Sequence, residues 1–274
     1  MKDVSFGQYY PTASFVHKMD ARIKLLAVIA YIVAVFLVDT YQFMGLLACL
    51  LFVLITTFCS GVPLLKVLKS IKAILFFVIL SAVLQIFFNS EGKVVLSWEF
   101  IKITDQGLIK AGHISARIIL VILGASLLTF TTSPVEIADA LESLMSPLKW
   151  IKFPVHEFAL IMSIALRFIP TLLDQTDRII KAQKARGADF ESGNVFKKAK
   201  ALIPVLIPLL ISSFRCADEL ADAMDARCYS GSKVRTKYKK MMLGWRDLVG
   251  VLFIAVLITG VVMLNVTGFM AVVL

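Results

Sequence analysis

Runs of roughly 16–22 apolar residues recur along this chain, parted by short polar or basic stretches, and that pattern limits its fold more than any other feature. A helix needs roughly 20 residues to cross the hydrocarbon layer, and fewer when its flanks reach the interface. Hydropathy predicts five spans: Ile23 to Val38, Phe43 to Phe58, Ile74 to Phe88, Ile114 to Phe130 and Leu248 to Val266. The chain is 59% hydrophobic with a mean hydropathy of +0.85, against the roughly 45–50% apolar content of an ordinary soluble domain. So much apolar surface requires lipid. The expected class is an all-α polytopic membrane protein, with about five transmembrane helices and about three amphipathic helices outside the bilayer.

Lysine and arginine orient the spans. With the N-terminus inside, the inner segments 1–24, 59–73 and 131–246 hold 4, 3 and 18 of the 29 basic residues; the outer loops hold 0, 3 and 0, and Arg117 lies within the fourth span. The excess predicts a cytoplasmic N-terminus and an outer C-terminus in the cell membrane. It also accounts for the net charge of +10 through loops beside anionic lipid, so nucleic acid is not an expected partner. Residues 1–10 are polar and no small-residue cleavage site follows the first apolar run, which argues against a removed signal peptide.

Three regions are expected: 1–130 with four spans, a cytoplasmic helical segment over 131–244, and 245–274 with the last span. In the outer loop, Val94 to Trp98 and Phe100 to Ile103 are β-branched and aromatic runs suited to a small hairpin or to the interface, with Trp98 as an interfacial anchor. Asp20 is placed to cap the first span, with Arg22 and Lys24 at the lipid headgroups. Arg117, one turn into the fourth span, is near enough to the outer interface to snorkel.

The 131–244 segment is the informative one. Ser133-Pro134-Val135-Glu136 opens a helix with Ser as N-cap, Pro at the first helical position and Glu placed to close a capping box. A second helix begins near Pro154, with an apolar stripe through Phe158, Ile161, Phe168 and Leu172 opposite Asp174, Asp177, Arg178 and Lys181. Pro170 should bend it. A third runs from about Phe196 to Cys228, interrupted by Pro204 and Pro208. The second and third are expected to pack as a hairpin that buries its own stripes, and Arg167, on an otherwise apolar turn, to find a carboxylate or helix-end carbonyls within the fold.

Those two helices end alike, in Ala182-Gln183-Lys184-Ala185-Arg186-Gly187 and Ala223-Met224-Asp225-Ala226-Arg227-Cys228, with the arginines 227 − 186 = 41 residues apart. An Ala-x-x-Ala face lets another backbone approach closely, and the adjacent guanidinium is a rigid fork suited to a carboxylate. A single arginine there could merely complement the helix dipole, with Gly187 as the left-handed cap. Two matching endings favour docking on a partner.

These features resemble the T component of energy-coupling factor (ECF) transporters. The Ala185-Arg186-Gly187 and Ala226-Arg227-Cys228 triplets look like that family's paired coupling motifs. The stretch Ala165-Leu166-Arg167-Phe168-Ile169-Pro170 through Ala182-Gln183, the helix opening Thr131-Thr132-Ser133-Pro134 and His17-Lys18-Met19-Asp20-Ala21-Arg22-Ile23-Lys24 are similar to it as well. Cys228, where the first triplet has Gly, is a departure. The resemblance implies a scaffold that joins two ABC-type ATPases to a separate membrane S component that binds a vitamin or other micronutrient. Each triplet would dock in a groove of one ATPase, Arg186 and Arg227 each meeting an acidic residue, with Ala182, Ala223, Arg167 and Pro170 in support. ATP and Mg would belong to the ATPases. No GxxxxGK[ST] phosphate loop occurs in this chain.

Other chemistries find little support. Cys49, Cys59, Cys216 and Cys228 lack ligand spacing and read as free thiols, and His17, His113 and His156 are scattered, so no metal site is expected. No nucleophile triad or carboxylate pair stands out, so the chain reads as a non-enzyme. The rival reading, a stand-alone secondary transporter or channel, needs polar groups at the bilayer midplane. The spans offer little beyond Gln85 and small hydroxyls.

Overall fold

The computed structural model describes residues 9–39, 43–72, 74–88, 94–98, 101–151, 154–188, 190, 195–229 and 244–267. In chain order the elements are α1 (Ala21–Leu37), α2 (Phe43–Ser60), α3 (Leu64–Lys72), α4 (Leu75–Phe88), β1 (Val94–Trp98), β2 (Ile101–Thr104), α5 (Asp105–Thr131), α6 (Pro134–Leu144), a 3-10 turn (Ser146–Ile151), α7 (Val155–Ala185), α8 (Val195–Ala226) and α9 (Trp245–Thr267). Among the described residues the architecture is helical, apart from β1 and β2, which pair antiparallel with Trp98 opposite Ile101. The side chain of Trp98 lies outside the described residues.

The chain forms two compact units, Met1–Phe153 with Met241–Leu274, and Pro154–Lys240. In the first, α5 is central and touches α1, α2, α3, α4 and β2, while α1 also meets α6 and α9. Inward positions follow helical spacing: Tyr31, Ala34, Val35 and Val38 on and just after α1; Leu120, Leu123 and Leu127 on α5; Ile254, Leu257 and Val261 on α9. The outward faces are apolar too. Leu26, Ile29, Val33 and Phe36 of α1 are exposed, and a helix apolar all round belongs in lipid, where its backbone bonds are satisfied internally. Gly124 allows α1 and α5 to meet closely: a Cβ there would stand 2.4 Å from a Tyr31 ring carbon, and Tyr31 Oη donates to Leu120 O at 3.2 Å.

Among the described residues α2, α5, α9 and the Lys200–Ala226 stretch of α8 are long and apolar enough to cross a membrane, and α3 with α4 would together make one more. With 17 residues, α1 spans about 25 Å, at the short end of the transmembrane range. The five sequence-predicted spans correspond to α1, α2, α4, α5 and α9. That α8 also qualifies by length and composition is an addition; its apolar residues crowd into its first half, ahead of the carboxylates from Asp218 onward.

In the second unit α7 and α8 pack together and run through Pro170, Pro204 and Pro208 without a break in the helix. The expected mutual burial of their stripes is only partial: Leu172, Ile179, Leu209 and Leu220 are half-buried, while much of the apolar surface stays open. Ile161 is 63%, Leu206 54% and Phe214 70% exposed. The reason is partly that the contact is polar: Ser212 Oγ donates to Gln175 Oε1 at 2.9 Å and Gln175 Nε2 donates to Cys216 Sγ at 3.6 Å. The apolar face of α8 is also wider than one helix can cover.

Candidate functional site

The ends of α7 and α8 are built on the same pair of cap bonds. At the first, Arg186 is the C-cap with φ −85° and Gly187 follows at φ +86°. The Gly187 amide donates to Lys184 O and the Ala188 amide to Gln183 O, both at 3.0 Å. At the second, Arg227 holds the same place and Cys228 follows at φ +56°. The Cys228 amide donates to Asp225 O at 2.9 Å and the Tyr229 amide to Met224 O at 3.0 Å. Both are Schellman caps, in which a left-handed residue turns two amides back onto terminal carbonyls. The 41-residue sequence repeat is therefore a repeat of geometry.

The caps also bear on what the arginines do. Gln183, Lys184, Met224 and Asp225 carbonyls are satisfied by backbone amides, so the guanidinium groups are not required to close the helix ends. Arg186, Arg227, Ala182, Ala185, Gly187, Ala223, Ala226 and Cys228 are all exposed. Among the described residues neither Arg186 nor Arg227 forms an ion pair or side-chain hydrogen bond. Each tip thus offers a small-residue helical face with an unengaged five-donor fork beside it, a shape suited to a groove carrying a carboxylate.

Comparison with known proteins decides the family. The family profile described as cobalt transport protein, CbiQ, matches residues 12–238. The chain is 48% identical to the energy-coupling factor transporter transmembrane protein EcfT of Ruminiclostridium cellulolyticum, over 97% of this chain and 96% of that one. It is 48% identical to the EcfT of Clostridium kluyveri, over 94% and 95% of the two chains, and 43% identical to that of Bacillus subtilis, over 90% and 92%. The chain belongs to the CbiQ family. As a member it is the multi-pass transmembrane energy-coupling component of an ECF transporter and not its catalytic subunit.

Other residues of this CbiQ-family chain stand differently from their sequence reading. Arg167 and Pro170 are both exposed on α7, and Arg167 has no ion pair or hydrogen bond among the described residues, so the internal partner expected for it is not found. Lys24 is turned inward. It is buried, and its Nζ donates to His17 O at 3.0 Å and to Thr131 O at 3.1 Å, because its α1 position faces the end of α5. Arg117 donates to Val38 O, the C-cap of α1, and lies over the Phe36 ring. Asp20 does cap α1, its side chain accepting from the Arg22 amide at 2.9 Å, and the Ser133–Glu136 capping box is present in full.

Asp247 was not legible. Its carboxylate accepts from the Asp20 amide at 2.7 Å and from the Gly244 amide at 2.7 Å, clasping the starts of α1 and α9. Nothing in the local sequence of α9 marks an acid that serves another helix. His17 lies in the same region and bonds Tyr10 O at 2.8 Å and Ser14 Oγ at 2.7 Å, which gives the His17-to-Lys24 stretch a structural role. The four cysteines are free thiols, and among the described residues no group of three or more His, Cys, Asp or Glu side chains is placed to hold a metal ion.

Proposed function

We propose that this chain couples ATP hydrolysis on two ABC-type ATPases to uptake of a vitamin or other micronutrient held by a separate membrane S component, with Arg186 and Arg227 as its two contacts with the ATPases. The observation that carries this reading is the pair of matching, exposed, arginine-bearing caps at the ends of α7 and α8. Ala182, Ala185 and Gly187 at one tip, and Ala223, Ala226 and Cys228 at the other, allow close approach of a groove wall, and Arg167 and Pro170 support α7 on its way to the tip. ATP and Mg reside on the ATPases. The cobalt named in the family description makes a transition-metal ion an alternative cargo.

The region 131–244 is the coupling segment in this reading, set between the four-span region 1–130 and the last helix in 245–274. Residues 201–214 of α8 are free of charge, but a stretch of about 14 residues reaches only about 21 Å, short of a hydrocarbon core of about 30 Å. Such a helix suits the membrane face, its apolar side toward lipid and the S component and its acidic end in water. The 25-to-3 distribution of basic residues puts that face, and the N-terminus, on the cytoplasmic side. Closure of the ATPase pair on ATP would change the separation of the two tips, and the packed helices would carry that displacement to the S component.

The test is charge reversal. Arg186→Glu and Arg227→Glu should each cost about 2–5 kcal/mol of docking free energy, seen as loss of ATPase subunits on co-purification and loss of ATP-driven uptake. Intact assembly and normal uptake in both variants would overturn the assignment.

A further inference from the structure

The first unit holds a partly open cavity of about 250 Å³ between α1, α2, α5 and α9. Segment 10–19 closes one end of it: the Tyr10 amide donates to Phe130 O at 3.0 Å, Thr12 Oγ1 donates to Ser60 O at 3.1 Å, and Phe15 and Met19 line the space. The wall also contains Lys24, Tyr31, Thr56 and Thr131. Each of these already donates to a backbone carbonyl, so the cavity presents no cluster of unmet polar groups and water gains little by entering. An apolar cavity of about 150 Å³ takes a benzene ring, so this one holds roughly ten carbons.

Its opening is lateral. α2 and α9 meet at the stacked rings of Phe52 and Phe253, with centroids 4.7 Å apart. One to two turns from that stack, Ile55 and Cys59 on α2 and Val249 on α9 line the cavity and are exposed. In a bilayer that gap faces lipid tails. At the same end, Arg246 lies over the rings of Phe15 and Trp245, 6.0 and 5.9 Å from their centroids, and Lys18 is exposed next to Met19. Two cations thus stand beside the apolar slot.

We propose that the cavity binds one acyl chain of an anionic phospholipid from the adjoining leaflet, entering between α2 and α9 with its phosphate at Arg246 and Lys18. A seated chain packs Met19, Phe15 and the starts of α1 and α9 together, and lipid charge then affects the clasp on which the N-terminal segment rests.

The test uses the full chain in phosphatidylcholine nanodiscs, with trace phosphatidylglycerol bearing a photoactivatable diazirine in mid-chain. Crosslinks are expected in peptides holding Val28 and Thr56, as well as at outer lipid-facing residues such as Phe36. Excess unlabelled phosphatidylglycerol should remove the cavity crosslinks and leave the outer ones. Arg246→Gln, which removes one basic contact, should raise the competing concentration roughly five-fold. Ala27→Phe, which fills the slot, should abolish cavity labelling while Phe36 labelling reports that the fold survives. If that variant does not fold, the wild-type competition decides alone. Cavity peptides that stay unlabelled, or labelling that excess lipid does not reduce, would overturn the site. Equal competition by phosphatidylcholine would overturn the choice of an anionic lipid.

Discussion

Replacing Gly187 with alanine isolates the backbone cost of the α7 tip. Gly187 sits at φ +86°, and a Cβ built there meets no atom within 4 Å. No steric clash contributes, so the whole effect comes from placing an L-residue in the left-handed region, about 1–2 kcal/mol. That corresponds to a rise of roughly five- to thirty-fold in the open population of the last turn, at about 1.4 kcal/mol per factor of ten. Cys228 already bears the same cost at φ +56°, so Cys228→Gly should act in the opposite sense and tighten the α8 tip by about 1 kcal/mol. The assay is amide hydrogen exchange on the purified chain, read at positions 187 and 188 in one variant and at positions 228 and 229 in the other, each against the unaltered chain, since those amides make the cap bonds. Faster exchange is expected in the first and slower in the second. Unchanged exchange in Gly187→Ala, or faster exchange in Cys228→Gly, would refute the equivalence of the two caps.

Two further outcomes follow from packing. Gly124→Ala drives a methyl to within 2.4 Å of Tyr31, whose ring is stacked on Phe52 at 5.5 Å and has little room to retreat; a loss of about 1–3 kcal/mol is expected, measured as a lower melting midpoint in mild detergent, and an unchanged midpoint would mean that α1 and α5 are not in close contact. Asp247→Ala leaves the Asp20 and Gly244 amides without their acceptor and should cost about 3 kcal/mol or more, given about 1.5–3 for a hydrogen bond to a charged group; limited proteolysis should then cut in segment 9–20, Asp247→Asn should restore some of the protection, and full resistance in the alanine variant would contradict the clasp.

The features that could be read ahead of the structure depend on residues close in sequence. The Ser133–Glu136 capping box needs two side chains three positions apart, and the paired tips need only the last turn of each helix. The five spans rest on hydropathy, which each segment carries by itself. Matching arginines 41 residues apart, on two helices of one membrane protein, were enough to single out the tips as a repeated device.

The contacts that could not be read ahead of the structure are those whose partners are remote. Lys24 has the hydropathy of a headgroup anchor, yet it faces the end of α5 and bonds a carbonyl 107 residues away. Asp247 serves an amide 227 residues distant, and Arg117 reaches back 79 residues to the end of α1. The breadth of apolar surface left open on α7 and α8 belongs with these, since amphipathic periodicity marks a face to be covered without naming what covers it. Helix type and length, membrane character and the repeated tips are consequences of local composition and spacing. Which polar groups fasten the helix ends, and where a slot remains between α2 and α9, emerged only when the chain was packed, because a hydrogen bond or a cavity depends on distances that no single segment contains.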